Sequence, residues 1–285
     1  WTALENWQER CSTRLDEARK SLGPWNTDLR QDLSLWCRLQ LLIAAAYIRD
    51  GGPENLQQAQ RRLQQVQQRT KQCTGGLGWS RPEAQLHDRA AALEAVCRCL
   101  RYGMPSKPKE LRRLQGLKGP PGKLVDAVAT LYVGTSKTDP MKALRNVRRK
   151  LVTLAPPQGR PDRLDAEVIV AKALGEALGA VSSICNRPVL TRAELQEARP
   201  KAELYRMPEP LRSALGRALR QHDSRLEFDQ AFRDWSKDPY TQGKLDKLPR
   251  PDGSPDAFEY YRCIYGSWQA DYYHRSGRKG WTIEY

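Results

Sequence analysis

The 285-residue sequence holds only three histidines, three phenylalanines and three methionines. The histidines (His87, His222, His274) lie far apart, and the seven cysteines (Cys11, Cys37, Cys73, Cys97, Cys99, Cys185, Cys263) include no CxxC pair. The ligand spacing of a structural zinc site is therefore missing, and no metal or other cofactor is expected. An odd number of widely spread cysteines, mostly on apolar stripes, argues against a disulfide framework. They read as reduced core thiols of an intracellular protein in a reducing compartment. Long apolar runs are also lacking, the longest candidate being Leu39 to Ile48, so a soluble chain without a membrane span is expected. Trp1 opens the chain with no leader-like run behind it, which reads as a processed form or a piece of a longer chain.

Catalytic signatures are equally scarce. Gly119-Pro-Pro-Gly-Lys123 has no glycine five positions before Gly122, no Ser or Thr after Lys123 and no strand ahead of it, so it is not a triphosphate loop. His87-Asp88 and His222-Asp223 are neighbours on helices, pointing about 100° apart, and read as surface residues. Cys263 and His274 would stand about 16 Å apart along a helix, too far for a thiolate pair. Glu227, Asp229 and Asp234 are interleaved with Arg220, Arg225 and Arg233, the pattern of a salt-bridged face rather than a metal site. The chain is expected not to be an enzyme, with a catalytic site gathered from remote helices as the minority alternative.

Strand signals are absent except at Trp281 to Tyr285. What remains is helical periodicity. Leu4, Trp7, Cys11, Leu15, Ala18 and Leu22 recur at steps of three and four until Gly23-Pro24 stops the run. Four S/T-x-x-E capping boxes (Thr2/Glu5, Ser80/Glu83, Thr191/Glu194, Ser224/Glu227) mark helix starts, as do Asp139-Pro140 and Ser254-Pro255. The reading is all-α, a bundle or irregular array of about twelve helices. They fall near 3–22, 28–49, 54–73, 82–102, 107–117, 122–133, 140–154, 162–185, 192–199, 209–221, 225–236 and 255–273. The segment Ala166 to Ile184 is apolar nearly all round and should be a central buried helix. Pro- and Gly-rich stretches divide the chain into an N-terminal helical region (1–103), a basic segment (104–160) and a C-terminal helical region with an aromatic-rich end (161–285).

The net charge of +15 is unevenly placed: residues 101–163 carry +11 of it. On the helix at 140–154 the apolar stripe is Leu144, Val147, Leu151 and Leu154, leaving Lys142, Arg145, Arg148 and Arg149 as a cationic ridge. The helix at 107–117 repeats the design, with Leu111, Leu114 and Leu117 inward and Lys107, Lys109, Arg112 and Arg113 outward. Lys118 and Lys123 lie between the two ridges. Rows of cations suit a phosphate backbone because binding releases its condensed counterions. Near the C-terminus, Arg275, Arg278, Lys279 and Trp281 form a basic, aromatic loop able to stack on unpaired bases. No helix-turn-helix, zinc-finger or RNP sequence is present, so backbone contacts with little sequence specificity are expected. The expectation is a nucleic-acid-binding protein, RNA preferred to DNA, acting within a ribonucleoprotein assembly. The alternative is an interaction or scaffold subunit that docks on an acidic protein partner.

Overall fold

Helices form where apolar residues recur every three or four positions and stop where glycine or proline interrupts them. The structure, a computed structural model, describes Thr13, Glu17 and residues 27–72, 81–103, 108–134, 139–154, 165–187 and 190–236. Among the described residues there are nine helices and no strand: α1 (Thr27–Asp50), α2 (Gly52–Gln72), α3 (Arg81–Tyr102), α4 (Pro108–Gln115), α5 (Pro120–Gly134), α6 (Pro140–Val152), α7 (Ala166–Asn186), α8 (Arg192–Ala202) and α9 (Glu209–Ser236). The all-α reading holds. The helix expected at 255–273, the strand signal at 281–285 and, apart from the helical Thr13 and Glu17, the helix expected at 3–22 lie outside the described residues.

One count is corrected. The helices expected at 209–221 and 225–236 are the single helix α9. Ser224 and Glu227 match a capping box, yet no glycine or proline breaks the chain between Arg217 and Ser236, so the helix runs through the apparent start. Where the local signals are real, they act as expected. Asp139 Oδ1 accepts from the Met141 N–H at 2.9 Å with Pro140 at the first helical position. Thr191 and Glu194 close a full box, with Glu194 N–H to Thr191 Oγ1 at 3.2 Å and Thr191 N–H to Glu194 Oε2 at 2.9 Å.

The chain divides into two compact units, residues 1–220 and 221–285. In the first, α2 packs between α1 and α3, burying Leu56, Ala59, Leu63 and Val66. The α3 helix also meets α4 and α5, while α7 packs on α1, α5, α6 and α8. Two helices are therefore central. The expected one is α7, which buries Val170, Leu174, Leu178, Val181 and Ile184. By length and composition α7 could cross a membrane, but half of its apolar window is buried inside this fold, and it starts with Glu167, which is only 1% exposed. The other is α3, whose residues from Ala90 to Cys97 are buried without a break. That burial includes Glu94, whose carboxylate accepts from Gln64 Nε2 at 3.0 Å and from Gln67 Nε2 at 2.7 Å. A buried polar group needs such partners, and α2 supplies them.

Residues 203–208 form a strap across three helix ends. Tyr205 donates its hydroxyl to Ile48 O at 2.9 Å, the Arg206 N–H donates to Leu100 O at 2.9 Å, and Tyr132 donates its hydroxyl to Arg206 O at 2.9 Å. These contacts close carbonyls at the C-terminal ends of α1 and α3, which the helices themselves cannot satisfy. Burial pushes both phenol pKa values up. The α1–α2 corner beneath the strap needs glycine. Gly51 has φ +65°, and a Cβ there would lie 2.4 Å from the Leu204 side chain.

The described cysteines form no disulfide: Cys37, Cys97 and Cys99 are buried and Cys185 half-buried. Desolvation pushes the Cys97 and Cys99 thiols up to about 12, so they pack as small apolar groups rather than react.

Two substitutions should rank in a set order. Tyr205→Phe removes one hydrogen bond to Ile48 O, which keeps a second donor in Gly51 N–H at 3.1 Å, so the loss should be about 1 kcal/mol. Arg89 binds Glu167 through Nε at 2.8 Å and Nη2 at 2.6 Å. Arg89→Met strands that buried carboxylate and should cost about 3 kcal/mol. Urea unfolding of the two variants checks the ranking, and equal losses would refute it.

Candidate nucleic-acid interface

The basic segment folds as three helices in sequence, with α5 packed against both α4 and α6. Its core is Leu124, Val125, Ala127, Val128 and Leu131, all fully buried. A stripe at steps of three and four, Lys123, Asp126, Thr130 and Val133, reaches the surface between its two neighbours. Asp126 ties the trio together: Gln115 of α4 donates to Oδ1 at 3.2 Å, and Lys150 of α6 donates to Oδ2 at 2.6 Å. Lys150 also donates to Thr130 Oγ1 at 2.9 Å.

On α6 the buried side is Ala143, Leu144, Val147 and Leu151, which leaves Lys142, Arg145, Arg149 and Val152 exposed along one line. Arg148 is exposed as well but turns aside: its Nη2 lies 3.6 Å from the point that a Cβ on Gly179 of α7 would occupy. On α4, Leu111 and Leu114 are buried and Lys109, Arg112 and Arg113 exposed. Leu117, expected inward, is only half-buried because α4 ends at Gln115, before reaching it. Lys118 and Lys123 are exposed around the start of α5, whose first turn holds no acidic residue. Two lysines at the positive end of a helix dipole repel it.

The turn between α4 and α5 needs glycine at Gly119, with φ +84°, and again at Gly122 in the first turn of α5. A Cβ on Gly122 would fall 1.9 Å from Leu117 O, so only glycine lets the chain fold back this closely and present Lys118 and Lys123 together.

Of the candidate residues, Lys109, Arg112, Arg113, Lys118, Lys123, Lys142, Arg145, Arg148 and Arg149 are thus placed on one contiguous trio of helices. Among the described residues none of these nine has a hydrogen-bonded or ion-paired acid. The acids nearby are engaged elsewhere, Glu110 with Arg98 at 3.3 Å, Asp126 with Lys150, and Asp139 as the α6 cap. Lys107, Arg275, Arg278, Lys279 and Trp281 lie outside the described residues. The Asp126–Lys150 pair spans 24 positions on two helices, and no local spacing in the sequence marks it.

Contrary to expectation, His87 and His222 are not surface residues. His222 is 4% exposed, and His87 is half-buried with Nδ1 3.1 Å from Thr70 Oγ1. Desolvation lowers the His87 pKa from 6.5 against the pull of Asp88 and a hydrogen bond to the Gln67 backbone, and the cations Arg113 and Lys71 lower it further. Among the described residues no three His, Cys, Asp or Glu side chains gather to hold a metal ion.

The lowered value sets a pH dependence. The unfolded chain binds the proton more readily, so this contribution is present above about 6.5 and lost as the pH falls through the window below it. Stability of the wild type should therefore fall faster than that of His87→Gln on acidification, which urea midpoints measured across that window would show; parallel curves would refute it.

No protein-family model, curated protein sequence or solved structure matches the chain.

Proposed function

We propose that this chain is a non-enzymatic nucleic-acid-binding protein that holds phosphate backbones on the α4–α6 face. RNA is its preferred ligand, sequence specificity is low, and the setting is a ribonucleoprotein assembly. The observation that carries the reading is the set of nine exposed cations on those three helices, without acidic partners among the described residues. Uncompensated like charges held on rigid helices raise the free energy of the empty protein, and an anionic polymer relieves it. Buried leucines fix the helices while the cations project, so the charge array is preorganised. The preference for RNA rests on Arg275, Arg278, Lys279 and Trp281 near the C-terminus, whose composition suits stacking on unpaired bases.

One observation favours a second reading, docking on an acidic protein. Val152 is 72% exposed at the end of the Lys142–Arg149 line, where an apolar contact would suit a protein surface better than a phosphate.

A salt series separates the two. RNA affinity should fall steeply with ionic strength, and the combined variant Arg145→Glu, Arg148→Glu, Arg149→Glu should bind more weakly with a log–log slope shallower by about 2 to 3. Fluorescence anisotropy with labelled RNA measures both. Absence of binding at low salt would overturn the proposal, and tight binding to an acidic polypeptide by a chain that ignores RNA would establish the alternative.

A further inference from the structure

A phosphate-binding face is suited either to one flexible strand or to a duplex, and these differ in what they demand. A single strand is held by aromatic side chains on which its bases stack, beside one track of cations. A duplex exposes no base faces and offers two rows of phosphates separated by a groove.

The described α4–α6 face contains no stacking platform. Its only aromatic residue is Tyr132, which is buried with its hydroxyl on Arg206 O. The cations, moreover, do not form one track. Lys109, Arg112 and Arg113 stand on α4, and Lys142, Arg145 and Arg149 stand on α6. The midline between them is the exposed stripe of α5, and beyond Lys123 it is neutral: Asp126 cancels Lys150, and Thr130 and Val133 carry no charge. A strand laid along that midline would meet one unpaired cation at its end and a carboxylate further on.

The two ridges stand on helices either side of a third, so their axes are two packing distances apart, about 16–20 Å. The wider grooves of a duplex, the major groove of B-form DNA at about 12 Å plus the phosphates that flank it and the wide, shallow minor groove of A-form RNA, hold their phosphate rows on that scale. We infer that α4 and α6 each hold the backbone of a different strand of one duplex, with a groove lying over α5. This rests on the proposed nucleic-acid binding and assigns paired strands to the α4–α6 face, leaving any stacking on unpaired bases to the residues around Trp281. The Asp126 contacts to Gln115 and Lys150 then set the spacing of the two ridges, because they link both outer helices to the middle one.

The test uses the full chain and compares an RNA duplex, the same sequence as a DNA duplex, and one constituent RNA strand at a single salt concentration. Two ridge variants are needed: Lys109→Gln, Arg112→Gln, Arg113→Gln on α4, and Lys142→Gln, Arg145→Gln, Arg149→Gln on α6. A third variant, Arg61→Gln, Lys172→Gln, Arg192→Gln, removes the same charge from exposed positions outside α4–α6. Circular dichroism verifies that each keeps its helix content. The wild type should bind a duplex on the order of ten-fold more tightly than the single strand, since a second row of contacts is added. Either ridge variant should lose that preference and the third should keep it, whether the RNA or the DNA duplex binds better. A single strand bound as tightly as the duplexes, or a duplex preference that survives loss of either ridge, would overturn the inference while leaving nucleic-acid binding intact. No binding to any of the three would overturn both.

Discussion

A helix whose middle is buried without a break, as α3 is from Ala90 to Cys97, needs neighbours for its polar groups, and the arrangement of residues 1–220 follows from where α3 finds them. Glu94 is answered by Gln64 and Gln67 of α2, Arg89 by Glu167 and Asp165 at the start of α7, and Arg98 by Glu110 of α4. Its last turn is answered by the strap through Arg206 N–H on Leu100 O. Apolar burial supplies most of the stabilisation but is indifferent to direction. Charged and amide groups in the interior are not, because an unmatched one costs more than a matched one contributes. Each polar contact thus fixes which neighbour lies on which side of α3.

The α4–α6 face is the electrostatic opposite of that interior. Inside, ions are few and matched; on this face they are many and mostly unmatched among the described residues. The one pair that crosses it, Asp126 with Lys150, joins helices rather than balancing the field. Because Leu124, Val128, Leu144 and Val147 are completely buried beneath, repulsion among the cations cannot be relieved by moving the helices apart. Water, salt ions or a bound anion must relieve it, and the proposed function assigns that part to a bound polyanion.

The sequence disclosed features that are encoded locally. Helical spacing, the Asp139 cap and the Thr191/Glu194 box depend on residues within four positions of each other, and so does the cationic side of α6. The burial of α7 was legible from an apolar surround. The burial of α3 was not, since Glu94, Arg89 and Arg98 gave that helix an apparently polar side; only their partners, 27 to 78 positions away for Gln67 and Glu167, make the interior acceptable. The false start at Ser224 shows the opposite failure, a good local signal overruled by an unbroken run of helix-forming residues. At the site, the cations could be named from the sequence, but their division into two ridges with a neutral midline depends on Asp126 pairing with Lys150, which no local pattern announces.

The strap at residues 203–208 bears on the order in which the chain is assembled. Tyr205 reaches back 157 positions to Ile48, and Tyr132 and Leu100 wait for Arg206 in the same way. During synthesis the N-terminal helices can collapse early on short-range contacts, but the ends of α1 and α3 stay without these partners until the chain has been made beyond Met207. Contacts of such long sequence separation are slow to form, and translation supplies only about 5–20 residues per second. The nascent helices therefore pass several seconds with Leu100 O lacking its strap partner and Ile48 O served by the Gly51 N–H alone, and the lock that completes them is among the last pieces of residues 1–220 to emerge.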